Sequence, residues 1–123
     1  MNPNPVGWFE IPVTDMERAK AFYQSAFGYG FEMMDMGPEK MAMFPFDHEQ
    51  PNCSGALVKG AGYQPISQGI LVYFSVEEVT QTLNKIEKAG GKTVQEKMPI
   101  GEHGFIGLFL DTEGNRLGLH SRE

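Results

Sequence analysis

Three side chains in this sequence could carry out acid–base or ligand chemistry if the fold brings them together. Glu10, Tyr73 and His120 each stand within a short run of apolar, strand-like sequence. A carboxylate, a phenol and an imidazole can exchange protons, hydrogen-bond a substrate or contribute ligands to a divalent cation. The simpler alternative is that Glu10 and His120 hydrogen-bond each other or water. These three residues are our candidates for catalysis.

The alternation of side chains along a strand predicts that these groups point away from the helices. In the first strand Phe9, Ile11 and Val13 should face a helix, which leaves Trp8 and Glu10 on the opposite side. The same alternation applies to two later strands. There the helix-facing residues should be Ile70, Val72, Phe74, Leu117 and Leu119, and the opposite residues Leu71, Tyr73, Ser75, Gly118 and His120. The polar groups meet if the two opposite faces converge.

The two halves of the chain repeat one pattern of elements. Each half has an apolar run, a hydroxyl residue with a glutamate three positions later, a helical stripe and a glycine. The two sets are Thr14-x-x-Glu17 with Gly28, and Ser75-x-x-Glu78 with Gly90. A hydroxyl at the N-cap and a glutamate three residues on satisfy free backbone donors reciprocally, so each pair predicts a helix start. A glycine that closes a helix adopts the left-handed conformation without a clash. The repeat indicates two related modules.

The predicted architecture is a single α+β domain, residues 1–123, with modules at about 1–60 and 68–123. Each module has the order β-α-β-β-β. Apolar residues at helical spacing predict one helix over residues 15–27 and another after residue 75. The predicted strands are 6–13, 31–36, 40–46, 54–59, 70–75, 92–98, 104–111 and 116–120. The helices should pack on one face of the sheet.

Composition excludes several classes of partner. The 123 residues carry 16 acidic and 10 basic side chains, a formal net charge of −6. Nucleic acids and anionic membranes need a basic surface, so neither is an expected partner. A single cysteine, Cys53, excludes an intrachain disulfide and favours a reducing compartment, so we expect a cytoplasmic protein. The opening MNPNPVGW lacks the features of a signal peptide, and no apolar run is long enough to span a membrane.

Two motifs make the sequence similar to the vicinal oxygen chelate superfamily. They are the segment FEIPVTDMERAKAFYQSAFG and the ending DTEGNRLGLHS, which stand in the two halves of the repeat. The superfamily includes glyoxalase I, bleomycin-resistance proteins, extradiol dioxygenases and fosfomycin-resistance proteins. The resemblance implies paired βαβββ modules that form an open, cup-shaped mixed sheet with the helices outside, and it implies a homodimer. It leaves the activity open, because one scaffold serves lyases, isomerases, dioxygenases and binding proteins.

The resemblance also implies a divalent metal held by His and Glu side chains of the strands. The mapped ligand positions in this sequence are Trp8, Leu71 and Gly118, and the fourth strand has no His, Asp or Glu. None of these residues can coordinate a hard or borderline cation. The expected cofactor is therefore none, and the expected function is binding of a small organic molecule in an aromatic cup. Trp8 would supply a flat wall for stacking, or would fill the core.

A displaced metal site remains the alternative. Glu10 and His120 each lie two residues beyond an empty ligand position, on the same strand face. With Tyr73 they could hold a divalent metal one pleat deeper and support a lyase of the glyoxalase I type, an isomerase or a dioxygenase. Either way, we expect the ligand site to include Trp8, Glu10, Leu71, Tyr73, Gly118 and His120.

Four other features have weaker claims. His103 stands in a predicted turn, as a plain turn residue or as part of the mouth of the cup and a further ligand-binding candidate. Residues 47–49, Asp-His-Glu, resemble a metal triplet, but consecutive side chains diverge, so a solvated loop is expected. Cys53 has no base near it in the sequence and is read as inert. A group of methionines predicts adaptable packing, or the wall of a pocket or dimer interface: Met33, Met34, Met36, Met41 and Met43.

Overall fold

The fold repeats one arrangement twice, as the sequence predicts. A computed structural model describes residues 3–123. The elements in chain order are β1 (Phe9–Pro12), α1 (Met16–Phe27), β2 (Glu32–Met36), β3 (Glu39–Met43), β4 (Gly55–Lys59), β5 (Tyr73–Ser75), α2 (Val79–Lys88), β6 (Lys92–Pro99), β7 (Phe105–Leu110) and β8 (Arg116–Ser121). A 3-10 turn, Gly101–His103, precedes β7. The first, third, fifth and seventh strands are shorter than predicted by two residues or more.

The strands form two four-stranded mixed sheets. Sheet A has the order β1-β4-β3-β2, and sheet B has the equivalent order β5-β8-β7-β6. In each sheet the first and last strands of the module pair in parallel, and the other pairs are antiparallel. The sheets do not close into a barrel. The predicted α+β fold with an open mixed sheet is therefore confirmed.

Both helices begin at a carboxylate instead of the predicted hydroxyl. Asp15, not Thr14, is the N-cap of α1, and its side chain accepts a hydrogen bond from the Arg18 amide at 3.0 Å. Thr14 instead turns its hydroxyl towards Glu113 in the other half of the chain. The predicted cap at Thr14 is wrong because Asp15 is the stronger acceptor, and its charge suits the positive end of the helix.

The second helix starts three residues later than predicted. Glu78 caps α2 and accepts hydrogen bonds from the amides of Thr80 at 2.7 Å and Gln81 at 3.3 Å. Ser75 stays in β5, so the predicted cap there is also wrong. A glutamate whose side chain reaches two backbone donors satisfies more of the helix end than a serine can. The predicted glycines are confirmed at both helix ends, with φ of 80° at Gly28 and 104° at Gly90.

The core lies between the helices and one face of each sheet. Strand residues predicted to face the helices are buried there, including Ile11, Val13, Phe74, Leu117 and Leu119. The prediction for Ile70 is wrong, since this side chain is 93% exposed and precedes β5, which begins only at Tyr73. Residues 70–72 precede β5 and are not part of a strand, so the side-chain alternation of a strand does not apply to them.

A glutamate in the last turn of sheet B ties the two halves together. The carboxylate of Glu113 accepts hydrogen bonds from the amides of Thr14 at 2.9 Å and Asp15 at 2.8 Å, and it pairs with Arg18 at 2.7 Å. These donors lower the pKa of Glu113 to about 2, although its partial burial acts in the opposite direction. The start of α1 is thus held by the second module.

Asp111 and Asn115 make the rest of this link. Asp111 is buried, and its carboxylate accepts from the Tyr23 hydroxyl at 2.8 Å and from the Asn115 side chain at 3.1 Å. The Asn115 amide also donates to the Pro12 carbonyl at 2.7 Å, at the end of β1. The DTEGN turn therefore positions sheet A against sheet B. Among the described residues, no helix is long and apolar enough to cross a membrane.

Candidate functional site

Four predicted site residues, Glu10, Tyr73, Gly118 and His120, lie on the sheet faces opposite the helices, which we call the helix-free face of each sheet. Trp8, Leu71 and His103 lie outside the strands. Strand register defines this face, because residues paired across a sheet share a side. In sheet A, Glu10 pairs with Ala56, and in sheet B, Tyr73 pairs with Gly118. The Val13 amide donates to the Val58 carbonyl of β4, and the Val76 amide donates in the same way to the His120 carbonyl of β8. Glu10 and Tyr73 are thus equivalent positions of the two modules.

Glu10 contacts a tyrosine that sequence analysis did not single out. The Tyr63 hydroxyl donates a hydrogen bond to Glu10 Oε1 at 3.1 Å. This bond and the charge of Glu10 raise the pKa of the Tyr63 phenol, and the charge of Glu39 adds to the effect. Tyr63 is the one aromatic residue of the glycine-rich connector 60–69. Its isolation there is the sequence feature that could have marked it as a site residue.

His120 has a different partner from Glu10. Its Nε2 lies 2.6 Å from the backbone carbonyl oxygen of His103. A carbonyl only accepts, so Nε2 carries the proton and Nδ1 is the basic nitrogen of the neutral ring. The imidazole of His103 is exposed and lies 3.9 Å from a Glu102 carboxylate oxygen. The fold thus brings His120 next to His103, through the backbone carbonyl of the turn. Among the described residues, no hydrogen bond joins Glu10 to His120.

Tyr73 covers Gly118. A Cβ added to Gly118 would lie 2.4 Å from two atoms of the Tyr73 ring, a separation that real side chains do not show. The phenol thus occupies the space that a side chain at position 118 would need. Tyr73 remains 43% exposed, so its other side is open to solvent.

The family metal does not fit the residues present. The mapped positions Trp8, Leu71 and Gly118 offer no donor atom, and the β4 counterpart of Gly118 is Ala56, which is buried. Within residues 3–123, no three His, Cys, Asp or Glu side chains are close enough to hold a metal ion. The Asp47-His48-Glu49 triplet forms a turn in which the Glu49 amide bonds to Asp47, with all three residues exposed.

Aromatic and methionine side chains provide exposed apolar surface. Trp8 is 39% exposed, and its ring centroid lies 6.3 Å from that of Phe46, which in turn contacts His48 at 4.3 Å. Register places four of the five predicted methionines on the helix-free face of sheet A: Met34, Met36, Met41 and Met43. Met33 pairs with the core residue Ala42 and lies on the other face. Leu71 is half-buried beside β5.

Two surface clefts are present among the described residues, and the first borders Phe46, the aromatic neighbour of Trp8. One, of about 250 Å³, is bordered by residues 45–47 and 50–54 and includes Cys53. The other, of about 300 Å³, lies between α2 and β6 and is bordered by Leu83, Asn84 and Lys97. Neither is bordered by a predicted site residue.

Comparison with known proteins places this geometry in a family. Residues 6–45 match the model of the family described as "Bleomycin resistance protein-like N-terminal". Over 121 residues the chain is 30% identical to a "Glyoxylase-like domain-containing protein" of Didymella fabae, covering 95% of this chain and 93% of that protein. The chain belongs to the vicinal oxygen chelate superfamily. The resemblance inferred from the sequence is confirmed.

Two solved structures illustrate the superfamily fold. Glyoxalase I from Zea mays matches with a TM-score of 0.73 and 22% identity, over 99% of this chain and 47% of the maize chain. TnmS3, an antibiotic binding protein from Streptomyces sp. CB03234, matches with a TM-score of 0.71 and 19% identity, over 100% of this chain and 99% of that one. The chain spans about half the length of the maize enzyme. At these identities the matches show the fold alone.

Proposed function

We propose that this member of the vicinal oxygen chelate superfamily binds a small organic molecule on its helix-free faces without the family metal. The observation that carries the proposal is the packing of Tyr73 over Gly118. At the position where the superfamily pattern calls for a metal ligand, a phenol ring fills the space. The ring, Trp8 and the methionines offer apolar surface to a ligand, and Glu10 and His120 offer polar contacts.

A structural match supports this class of function. TnmS3, described as an antibiotic binding protein, shares the fold over essentially the whole of both chains. We extend its described role to this chain as a proposal. The ligand site would include Trp8, Glu10, Leu71, Tyr73, Gly118, His120 and His103.

Metal analysis tests the proposal. Protein purified without chelator should contain less than one equivalent of any transition metal. Its melting temperature should not rise with Ni, Zn, Mn, Fe or Mg, because metals that bind only the native state stabilise it. One equivalent of metal that is lost in Glu10→Ala or His120→Ala would overturn the proposal. Glu17→Ala is the matched control, since its carboxylate is exposed in the first turn of α1, outside both sheets.

A metal-dependent lyase, isomerase or dioxygenase of the glyoxalase type is the second candidate. The name of the Didymella fabae relative supports it. In this candidate Glu10, His120 and Tyr73 are the catalytic groups around a displaced divalent metal. His120 would have to coordinate through Nδ1, because Nε2 already donates to the His103 carbonyl. The metal analysis above separates the two candidates.

We also propose a homodimer in the cytoplasm. The dimer follows from the resemblance and from β2, an edge strand in which every residue is exposed. Sedimentation velocity at micromolar concentration should show twice the mass of the chain, and a monomer would contradict the proposal. The single cysteine supports a reducing compartment.

A further inference from the structure

Four methionines lie on one face of the hairpin formed by β2 and β3. Met34 and Met36 are two positions apart on β2, and Met41 and Met43 are two positions apart on β3. Residues two apart on a strand share a face, and the register pairs Met34 with Met41. Two M-x-M segments are thus placed side by side, and we call their four methionines the methionine patch.

The spacing of a β-sheet brings these side chains within reach of a single ion. Residues directly opposite each other on antiparallel strands, such as Met34 and Met41, have Cβ atoms about 5 Å apart. Met36 and Met43 lie diagonal to this central pair, at about 7 Å, a separation that long side chains can bridge. A methionine side chain is unbranched and has several rotatable bonds. Three sulfur atoms of the patch can therefore converge on one small ion.

Core packing does not account for the methionine patch. Met34 is 45% exposed and Met36 is 49% exposed, while Met41 and Met43 are half-buried. Met16, by contrast, is buried in the core beneath α1. The patch lies on β2 and β3 alone, so a small ion can reach it without contact with β4, most of which is buried. The thioether groups of the patch are therefore available to ions in solution.

The charges around the methionine patch favour a cation. Glu32 is the register partner of Met43, and Glu39 is the register partner of Met36, so a carboxylate stands at each of two opposite corners of the patch. The strands of sheet A contain two lysines, which pair with each other on the opposite face: Lys40 and Lys59. A cation on the patch is thus attracted by two carboxylates and is not opposed by a lysine of these strands.

We propose that the methionine patch binds a soft monovalent cation of the copper(I) class, with Met34 and Met41 as the central ligands and Met36 or Met43 as the third. Thioether sulfur selects soft cations, whereas zinc, calcium and magnesium take thiolate, imidazole or oxygen ligands. The site is separate from the mapped positions of the family metal, and it does not depend on the proposed small-molecule function. Thioethers are neutral donors, so the ion exchanges with the solution and is added in the test.

Methyl NMR of protein labelled with ¹³C-methyl methionine tests the inference. The background is Cys53→Ser, because a thiolate also binds soft cations. Silver(I), added as silver nitrate in chloride-free buffer, is the air-stable probe, and it should shift the methyl signals of Met34 and Met41 most. Met33 and Met98 are the internal controls, since both are exposed but lie off the patch, and their signals should not move. Copper(I) under anaerobic conditions should reproduce the pattern, and zinc(II) should not.

A pair of substitutions on one strand completes the test. Met34→Leu removes the sulfur atom and keeps a similar apolar volume. It should weaken silver(I) binding at least about tenfold, because the loss of even an outer-shell partner commonly costs a metal site that much affinity. Met33→Leu, on the opposite face of β2, is the matched control and should leave the affinity unchanged. Equal shifts at Met33, Met34 and Met98, no shift at the patch, or equal affinities of Met34→Leu and Met33→Leu would each overturn the inference.

Discussion

The ring of Tyr73 lies over Gly118, so a tyrosine of β5 occupies the space of a side chain on β8. The two residues are paired in the sheet register, and an added Cβ at position 118 would approach the ring to 2.4 Å. A side chain at this position would require the Tyr73 ring to move. The relationship places a phenol ring at the position that the superfamily pattern assigns to a ligand side chain.

Substitution of Gly118 tests this contact. Gly118→Ala should destabilise the protein by about 1–3 kcal/mol, the usual cost of overpacking. Urea denaturation measures the effect. Gly62→Ala is the control, because an added Cβ there meets nothing within 4 Å. Adding Tyr73→Ala should recover much of the loss in Gly118→Ala. Equal stability of Gly118→Ala and wild type would show that Tyr73 moves aside at no cost.

Glu113 should make stability depend on pH. Its pKa is lowered to about 2 from the ordinary 4.5 of a glutamate, so its contribution to stability is present above about pH 4.5 and is lost as the pH falls towards 2. At pH 7, Glu113→Gln should cost about 2 kcal/mol, typical of hydrogen bonds to a charged group. The difference from wild type should shrink steadily in urea denaturation at pH 4, 3 and 2.5.

Glu17→Gln is the matched control for Glu113→Gln. Glu17 lies in the first turn of the same helix and is exposed. Its substitution should cost only a few tenths of a kcal/mol, by weakening the interaction with the helix dipole. A constant difference between Glu113→Gln and wild type across this pH range would contradict the structure.

Tyr63 should titrate differently once Glu10 is neutral. The hydrogen bond and charge of Glu10 raise the pKa of Tyr63, so Glu10→Gln should lower that pKa towards 10. Tyrosinate absorbance near 295 nm follows the titration, with Tyr63→Phe identifying which of the four tyrosines moves. Identical titration curves for wild type and Glu10→Gln would remove Tyr63 from the site.

Sequence patterns predicted the buried face of the strands and the C-terminal ends of the helices. Ile11 and Leu119 are buried as alternation requires, and Gly28 has the left-handed conformation of a helix end. These properties depend on near neighbours in the chain. Ile70 was assigned incorrectly because the sequence pattern does not show where the connector ends and β5 begins.

Long-range contacts account for what the sequence did not predict. Tyr63 reaches Glu10 across 53 positions, and Glu113 meets Thr14 across 99 positions. Such contacts depend on how the two modules pack, and no local pattern encodes that. The sequence predicted that Thr14 caps its own helix. It could not show that Thr14 bonds to Glu113 instead, because Glu113 lies in the last turn of the other module. The family resemblance gave the fold correctly, since it carries this long-range information.

The most direct test of metal-free ligand binding is a titration followed by two-dimensional ¹H–¹⁵N NMR in the presence of EDTA. The protein would be titrated with a mixture of cationic, neutral and anionic aromatic fragments. The account predicts shifts of the single indole signal, from Trp8, and of the amides of Glu10, Tyr73 and Gly118, with little change for the residues of α2. Shifts at these positions that occur only after a divalent metal is added, or no shifts there at all, would contradict it.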